Sequence, residues 1–156
     1  MINQFSLEER LEKLGLRLPA LSKPAGNYVV VNVRGNIAYV AIQFPKFNEE
    51  MLYKGVLGKD LTTEDGYKAM QLCAINVLAH IDAAIGLDKV AGLNHVDAYY
   101  RATADWMEAP KLVDGASDLF VNILGERGVH SRAIFGVDHL SRNFSVGITC
   151  TWTIYA

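Results

Sequence analysis

The sequence predicts an α+β domain, a mixed sheet with two helices on one face. Three observations point there. The segment 144–155 alternates apolar residues (Phe144, Val146, Ile148, Cys150, Trp152) with small or polar ones (Ser145, Gly147, Thr149, Thr151, Thr153), the period of a strand with one buried face. A long segment after Thr63 instead repeats Met70, Cys73, Ala74, Val77 and Ile81 at helical spacing. The whole chain reads helix, hairpin, long helix, strand, helix, hairpin.

Each element has its own signal. Ser6 with Glu9 three residues on is a capping box, and Leu7, Leu11 and Leu14 follow at helical spacing until Gly15. A linker with Pro19, Pro24 and Gly26 comes next. Tyr28–Val33 and Ile37–Phe44 form a hairpin around Arg34-Gly35-Asn36. Its second strand is apolar on both sides, which predicts a central strand covered on both faces. A short extended piece is expected around Met51–Tyr53. Thr63 is the expected cap of the long helix, with Glu64 and Asp65 where the helix dipole favours acids and Gly86 as its stop. Val90–Tyr100 reads as a strand. Pro110 opens a helix that Gly125 or Gly128 ends. Ser131–Leu140 and the alternating segment close the chain as a second hairpin. The Thr-rich row of the last strand lacks the Lys and Glu of a solvated face, so this face is expected to meet another subunit.

The 156 residues suffice for one domain, 1–156, with 1–24 as an N-terminal helix and linker extension. Hydrophobic residues make up 51% and charged residues 21%, which excludes a disordered chain. A formal net charge of −2 argues against a nucleic-acid binder. Cys73 and Cys150 are too few for a disulfide framework and sit in apolar runs. The N-terminus lacks the basic and apolar regions of a signal peptide, and no run is long enough to span a membrane. A cytoplasmic location is the expectation.

Several motifs fail on inspection. Gly55-Val56-Leu57-Gly58-Lys59-Asp60 lacks the spacing of a phosphate loop and has Asp60 where a magnesium-holding hydroxyl belongs. His80, His95, His130 and His139 show no metal-ligand spacing, so no metal or cofactor is expected. His80 reads as a solvated or interface residue. Asp138 and His139, as neighbours on a strand, would point to opposite faces.

Gly26-Asn27-Tyr28-Val29, Gly35-Asn36, Gln43-Phe44-Pro45, the Cys/Ala/Leu-rich helix and Ser131-Arg132-Ala133 with Val137 and Leu140 resemble the Rid/YjgF family. This family includes the reactive-intermediate (imine/enamine) deaminases and carries an older endoribonuclease L-PSP label. Leu14-Gly15-Leu16-Arg17-Leu18-Pro19, Ala25-Gly26-Asn27-Tyr28 and Gly115-Ala116-Ser117-Asp118-Leu119 are similar to its longer branch of about 150 residues. The resemblance runs from about residue 6 to the end. It implies a chorismate-mutase-like fold and a homotrimer with an inner β-barrel and clefts between subunits.

The resemblance also implies a site. Arg132 matches the arginine that holds a substrate carboxylate; by itself it reads as a solvated charge at a strand start. Tyr28 matches a cleft tyrosine, though a packed aromatic fits equally. Ile134 stands where the family often has cysteine, and Ala41, followed by Ile42, where it has serine. Gly147 replaces the glutamate that works through a water. Asp114 replaces an asparagine and is the candidate substitute carboxylate; a helix-surface charge is the equal alternative. These substitutions imply an imine/enamine hydrolase of altered or lost activity on small carboxylate-bearing metabolites, or a trimer that binds such carboxylates without turnover. A ribonuclease role finds little support in the charge or in the placement of the histidines.

Overall fold

The computed structural model describes residues 5–156. Its secondary elements are α1 (Leu7–Lys13), β1 (Val31–Arg34), β2 (Ile37–Gln43), β3 (Lys46–Phe47), β4 (Glu50–Met51), α2 (Thr63–Ala84), β5 (Val90–Tyr100), α3 (Ala109–Leu124), β6 (Ser131–Gly136) and β7 (Val146–Ile154). Strands β1, β2, β7, β5 and β6 make one sheet in that order, and β3 and β4 make a small separate hairpin. Within the five-stranded sheet only the β5–β6 pair is parallel. The α+β class and mixed sheet are as the sequence predicts.

The capping box of α1 is present on both sides: Ser6 Oγ accepts from the Glu9 N–H and Glu9 Oε1 from the Ser6 N–H. Gly15 follows the helix with φ +75°, where a side chain would be strained. The cap of α2 is Thr62, not Thr63. A capping box needs an acid three residues beyond the cap, and Asp65 stands three beyond Thr62; Asp65 Oδ2 accepts from the Thr62 N–H at 2.9 Å. Helix α3 places Pro110 in its first turn, where a missing N–H costs nothing.

The two long helices cross closely. A Cβ at Gly115 of α3 would lie 2.0 Å from the Tyr67 carbonyl oxygen of α2, so only glycine fits. Their inward faces pack on one side of the sheet around Trp152, Phe120, Met70 and Leu78, with Trp152 and Phe120 edge to face at 5.8 Å. Cys73 and Cys150 are buried here, and burial drives both thiols upward, Cys150 to about 12. Neither serves as a thiolate nucleophile at neutral pH.

The last two strands are not a hairpin. β5 lies between β6 and β7, because β6 returns beside β5 in parallel through the α3 crossover. Periodicity identifies a strand but not its partner. β1 begins only at Val31, after a turn in which the Tyr28 N–H meets the Gly26 carbonyl. β6 stops at Gly136 rather than Leu140, its last ladder-like bond running from the Val137 N–H to the Tyr100 carbonyl. β2 is covered on one face within the chain: Ala38 and Val40 are buried, while Tyr39 is 49% exposed on the other.

That uncovered face carries aligned cross-strand rows. Asn32, Tyr39, Thr151, His95 and Ser131 form one across all five strands, and Gly147, Tyr99 and Phe135 form another. His95 bonds Ser131 Oγ through Nδ1 at 2.7 Å and Asp97 through Nε2 at 3.0 Å. No helix of the described residues is long and apolar enough to cross a membrane.

Candidate active site

Arg132 follows Ser131 at the start of β6 and pairs in register with Val96, which is buried. This register turns its side chain toward the helices rather than the open face. There α3 meets it with residues one turn apart. Arg132 Nη1 donates to Asp114 Oδ1 at 2.8 Å and to Ser117 Oγ at 3.1 Å. Asp114, half-exposed on α3, therefore points at the guanidinium. Nη2 has a long contact, 3.4 Å, to the Pro110 carbonyl.

A neutral histidine continues the network. His130 Nδ1 lies 2.6 Å from the Gly128 carbonyl, which can only accept, so Nδ1 carries the proton. Its Nε2 then accepts from Ser117 at 2.9 Å, leaving the Ser117 oxygen to accept from Arg132. Burial holds the His130 pKa below its ordinary value, and the nearby Arg132 charge pushes the same way.

Ile134 lies two residues further along β6 on the same face, half-buried against the core beside Ala98. Gly147 is elsewhere. It pairs with Tyr99 on the opposite face of the sheet, and a Cβ there would sit 3.0 Å from both Ile42 Cδ1 and Phe44 Cε1. Ile42 and the Phe44 ring occupy the space a longer side chain would need.

Tyr28 precedes β1 and is 50% exposed, its hydroxyl accepting from the Ala25 N–H at 3.2 Å. It lines a pocket with Ile42, Phe44, Lys23, Lys46 and Arg142. The floor is the Phe44–Phe144 stack, centroids 4.8 Å apart and rings 6° from parallel. The structure thus joins Arg132 with Asp114, and Tyr28 with Ile42 and Phe44. It does not join these two groups within one chain: β1 and β6 are opposite edges of the sheet, about 19 Å apart at the usual strand spacing.

Two polar residues inside α2 escape a reading of composition. Asn76 and His80 stand one turn apart and are both buried. Asn76 Nδ2 donates to the carbonyls of Phe44 and Lys46, at 3.0 and 2.9 Å. His80 Nε2 bonds Ser22 Oγ at 3.1 Å, and burial lowers its pKa. His80 is thus a buried tie to the linker, not a solvated residue. The signal was present: two polar residues at i, i+4 on an apolar helix need partners. Asp138 and His139 lie beyond β6, not on it, and their side chains meet at 3.0 Å in full exposure. Among the described residues no group of three or more His, Cys, Asp or Glu is placed to hold a metal ion.

Residues 8–150 match a family model described as "YjgF/chorismate_mutase-like, putative endoribonuclease". "Protein TCP17" of Trypanosoma cruzi is 35% identical over 132 residues, 83% of this chain and 82% of that protein. A crystal structure of a "putative endoribonuclease" from Shewanella oneidensis superposes with a TM-score of 0.91 at 32% identity, covering 96% of this chain and all of that one. The protein Atu1372 of Agrobacterium tumefaciens, whose function is given as unknown, superposes with a TM-score of 0.89 at 32% identity, covering 96% of this chain and 92% of that one.

Proposed function

Since the chain belongs to the YjgF/chorismate-mutase-like family, we propose that it binds small carboxylate-bearing metabolites in clefts between the subunits of a homotrimer and hydrolyses imines or enamines there. The observation that carries this reading is the pairing of Arg132 with Asp114 at a sheet edge. An arginine fork binds a carboxylate bidentately and keeps its charge at every working pH. Ser117 and Asp114 hold one nitrogen of that fork, while Nη2 has only a long carbonyl contact. A substrate carboxylate docks on the Nη2 side and leaves Asp114 beside it.

Imine hydrolysis adds water to the C=N carbon, delivers protons to nitrogen and releases ammonia with a carbonyl product. A positioned carboxylate that accepts the water's proton contributes about 10²–10⁴-fold. Asp114 is the carboxylate at hand for this role, as general base. The trimer is supported by the separation of Tyr28 and Arg132 at opposite sheet edges and by the open sheet face with its exposed Tyr39 and Phe135. One copy supplies the Arg132 wall and its neighbour the Tyr28 wall. Two buried, unpaired cysteines fit a reducing cytoplasm.

The test is purified protein with 2-aminoacrylate generated in situ. Accelerated release of ammonia and pyruvate over buffer is the expected result, and no acceleration with this or other imines rejects the hydrolase.

One observation favours a second reading, a trimer that binds 2-oxoacids without turnover. Gly147 stands where the resemblance puts the family glutamate, and a Cβ there would crowd Ile42 and Phe44 at 3.0 Å. Calorimetry distinguishes the two readings: 2-oxoacids that bind through Arg132 in a protein with no imine turnover establish the binding module. The ribonuclease label of the relatives has weaker support here, since the chain carries a net −2 charge.

A further inference from the structure

We propose that the pocket beside β2 is a second anion subsite, which selects substrates bearing two anionic groups. The inference rests on the reading above, because it takes this pocket as the wall facing Arg132 of a neighbouring copy. Three cations, Lys23, Lys46 and Arg142, line the pocket, and no carboxylate does. This concentration of positive charge stands out in a chain of net charge −2. Glu49 approaches Lys46 at 3.9 Å but is 76% exposed, too solvated to neutralise it. Lys23 and Arg142 form no ion pair among the described residues.

The backbone around the pocket is held in place. Arg142 and Asn143 both have left-handed φ, 53° and 64°, which side-chain-bearing residues rarely adopt. Such a conformation persists only where the surroundings impose it. Here the Gly55 N–H donates to the Asn143 carbonyl at 2.8 Å. Arg101 donates to Asn143 Oδ1 at 2.7 Å and to the Asp138 carbonyl at 3.2 Å. The other walls hang on α2: Asn76 fixes the carbonyls of Phe44 and Lys46, and His80 fixes Ser22. The stacked Phe44 and Phe144 rings give the pocket an apolar wall. A pre-organised set of cations over an apolar floor suits an oxyanion, carboxylate or phosphate, at the far end of a short carbon chain.

Calorimetric titration tests this with 2-oxobutyrate as the single anion, 2-oxoglutarate as the dicarboxylate and phosphohydroxypyruvate as the phosphate arm. At least one dianion is expected to bind about tenfold tighter than 2-oxobutyrate, and which one identifies the distal group. Arg142→Ala and Lys23→Ala should each pull the ratio of dissociation constants toward one, and Arg142→Lys should restore most of it. Lys23 lies on the exposed linker, so its replacement reports on charge even where the Arg142 turn misfolds. If 2-oxobutyrate binds through Arg132 but neither dianion gains, the second subsite is wrong and the cleft reading survives. If the dianions bind through Arg142 while Arg132→Ala changes nothing, the subsite survives and the Arg132 reading falls. If no 2-oxoacid binds, both fall.

Discussion

Asp114 Oδ1 lies 2.8 Å from Arg132 Nη1, so α3 and β6 each deliver one charge to a single point at the edge of the sheet. An acid in that place both orients the guanidinium and stands beside whatever the guanidinium binds. Asp114→Asn keeps the shape and a hydrogen-bonding oxygen but removes the base. Imine turnover should fall about 100-fold or more, while 2-oxoacid binding persists or tightens as Arg132 loses a competing anion. Ammonia release and calorimetry on the same preparation check both halves. Unchanged turnover would remove Asp114 from the chemistry.

A glutamate at Gly147, the position the family resemblance gives it, should fit poorly. Its Cβ would crowd Ile42 and Phe44 at 3.0 Å, the shortfall of an overpacked site. Gly147→Glu is expected to cost about 1–3 kcal/mol, a fall in Tm of about 2–12 °C for a domain of this size. Adding Ile42→Ala should return most of that loss in a thermal melt. A Gly147→Glu protein as stable as the parent would show that Ile42 and Phe44 yield freely.

Buried His80 and half-buried His130 set a pH dependence. His80 and His130 both have folded pKa values below the ordinary 6.5, chiefly through burial. The unfolded chain therefore binds more protons between the folded value and 6.5, and stability rises with pH across that window. Their stabilising contribution is complete above about pH 6.5 and is lost as pH falls through the folded values. Tm should drop on acidification below that point, and His80→Gln should flatten part of the drop. An equally steep profile in His80→Gln would show that this residue does not carry it.

The sequence made some of this legible and hid the rest for physical reasons. Period-two alternation identified β7, and the family resemblance pointed to Arg132 and Asp114, two residues that the structure places in contact. Partnership was not: β6 and β7 are consecutive strands, yet the α3 crossover puts β5 between them. The cap of α2 was readable as well, since counting three residues back from Asp65 gives Thr62 rather than Thr63. The basic pocket stayed invisible because Lys23, Lys46 and Arg142 are far apart in sequence and are unremarkable one by one. Asn76 and His80 were the readable sign, two buried polar residues whose partners turn out to be the pocket's own walls.

A site shared between copies makes a prediction that a self-contained site does not. Arg132 lies on the edge strand β6 and Tyr28 just before the opposite edge strand β1, so within one chain neither completes the other. Arg132→Ala and Tyr28→Ala should each weaken 2-oxobutyrate binding as pure proteins. Mixed, unfolded and refolded together in equal amounts, they should recover sites, because a cleft that takes Arg132 from one variant and Tyr28 from the other is wild type. Random assembly of a closed ring makes about one cleft in four of this kind. Calorimetric stoichiometry near one quarter of the wild-type value, with wild-type affinity, is the expected result. Refolded mixtures that stay as weak as their parents would place Tyr28 and Arg132 in separate sites.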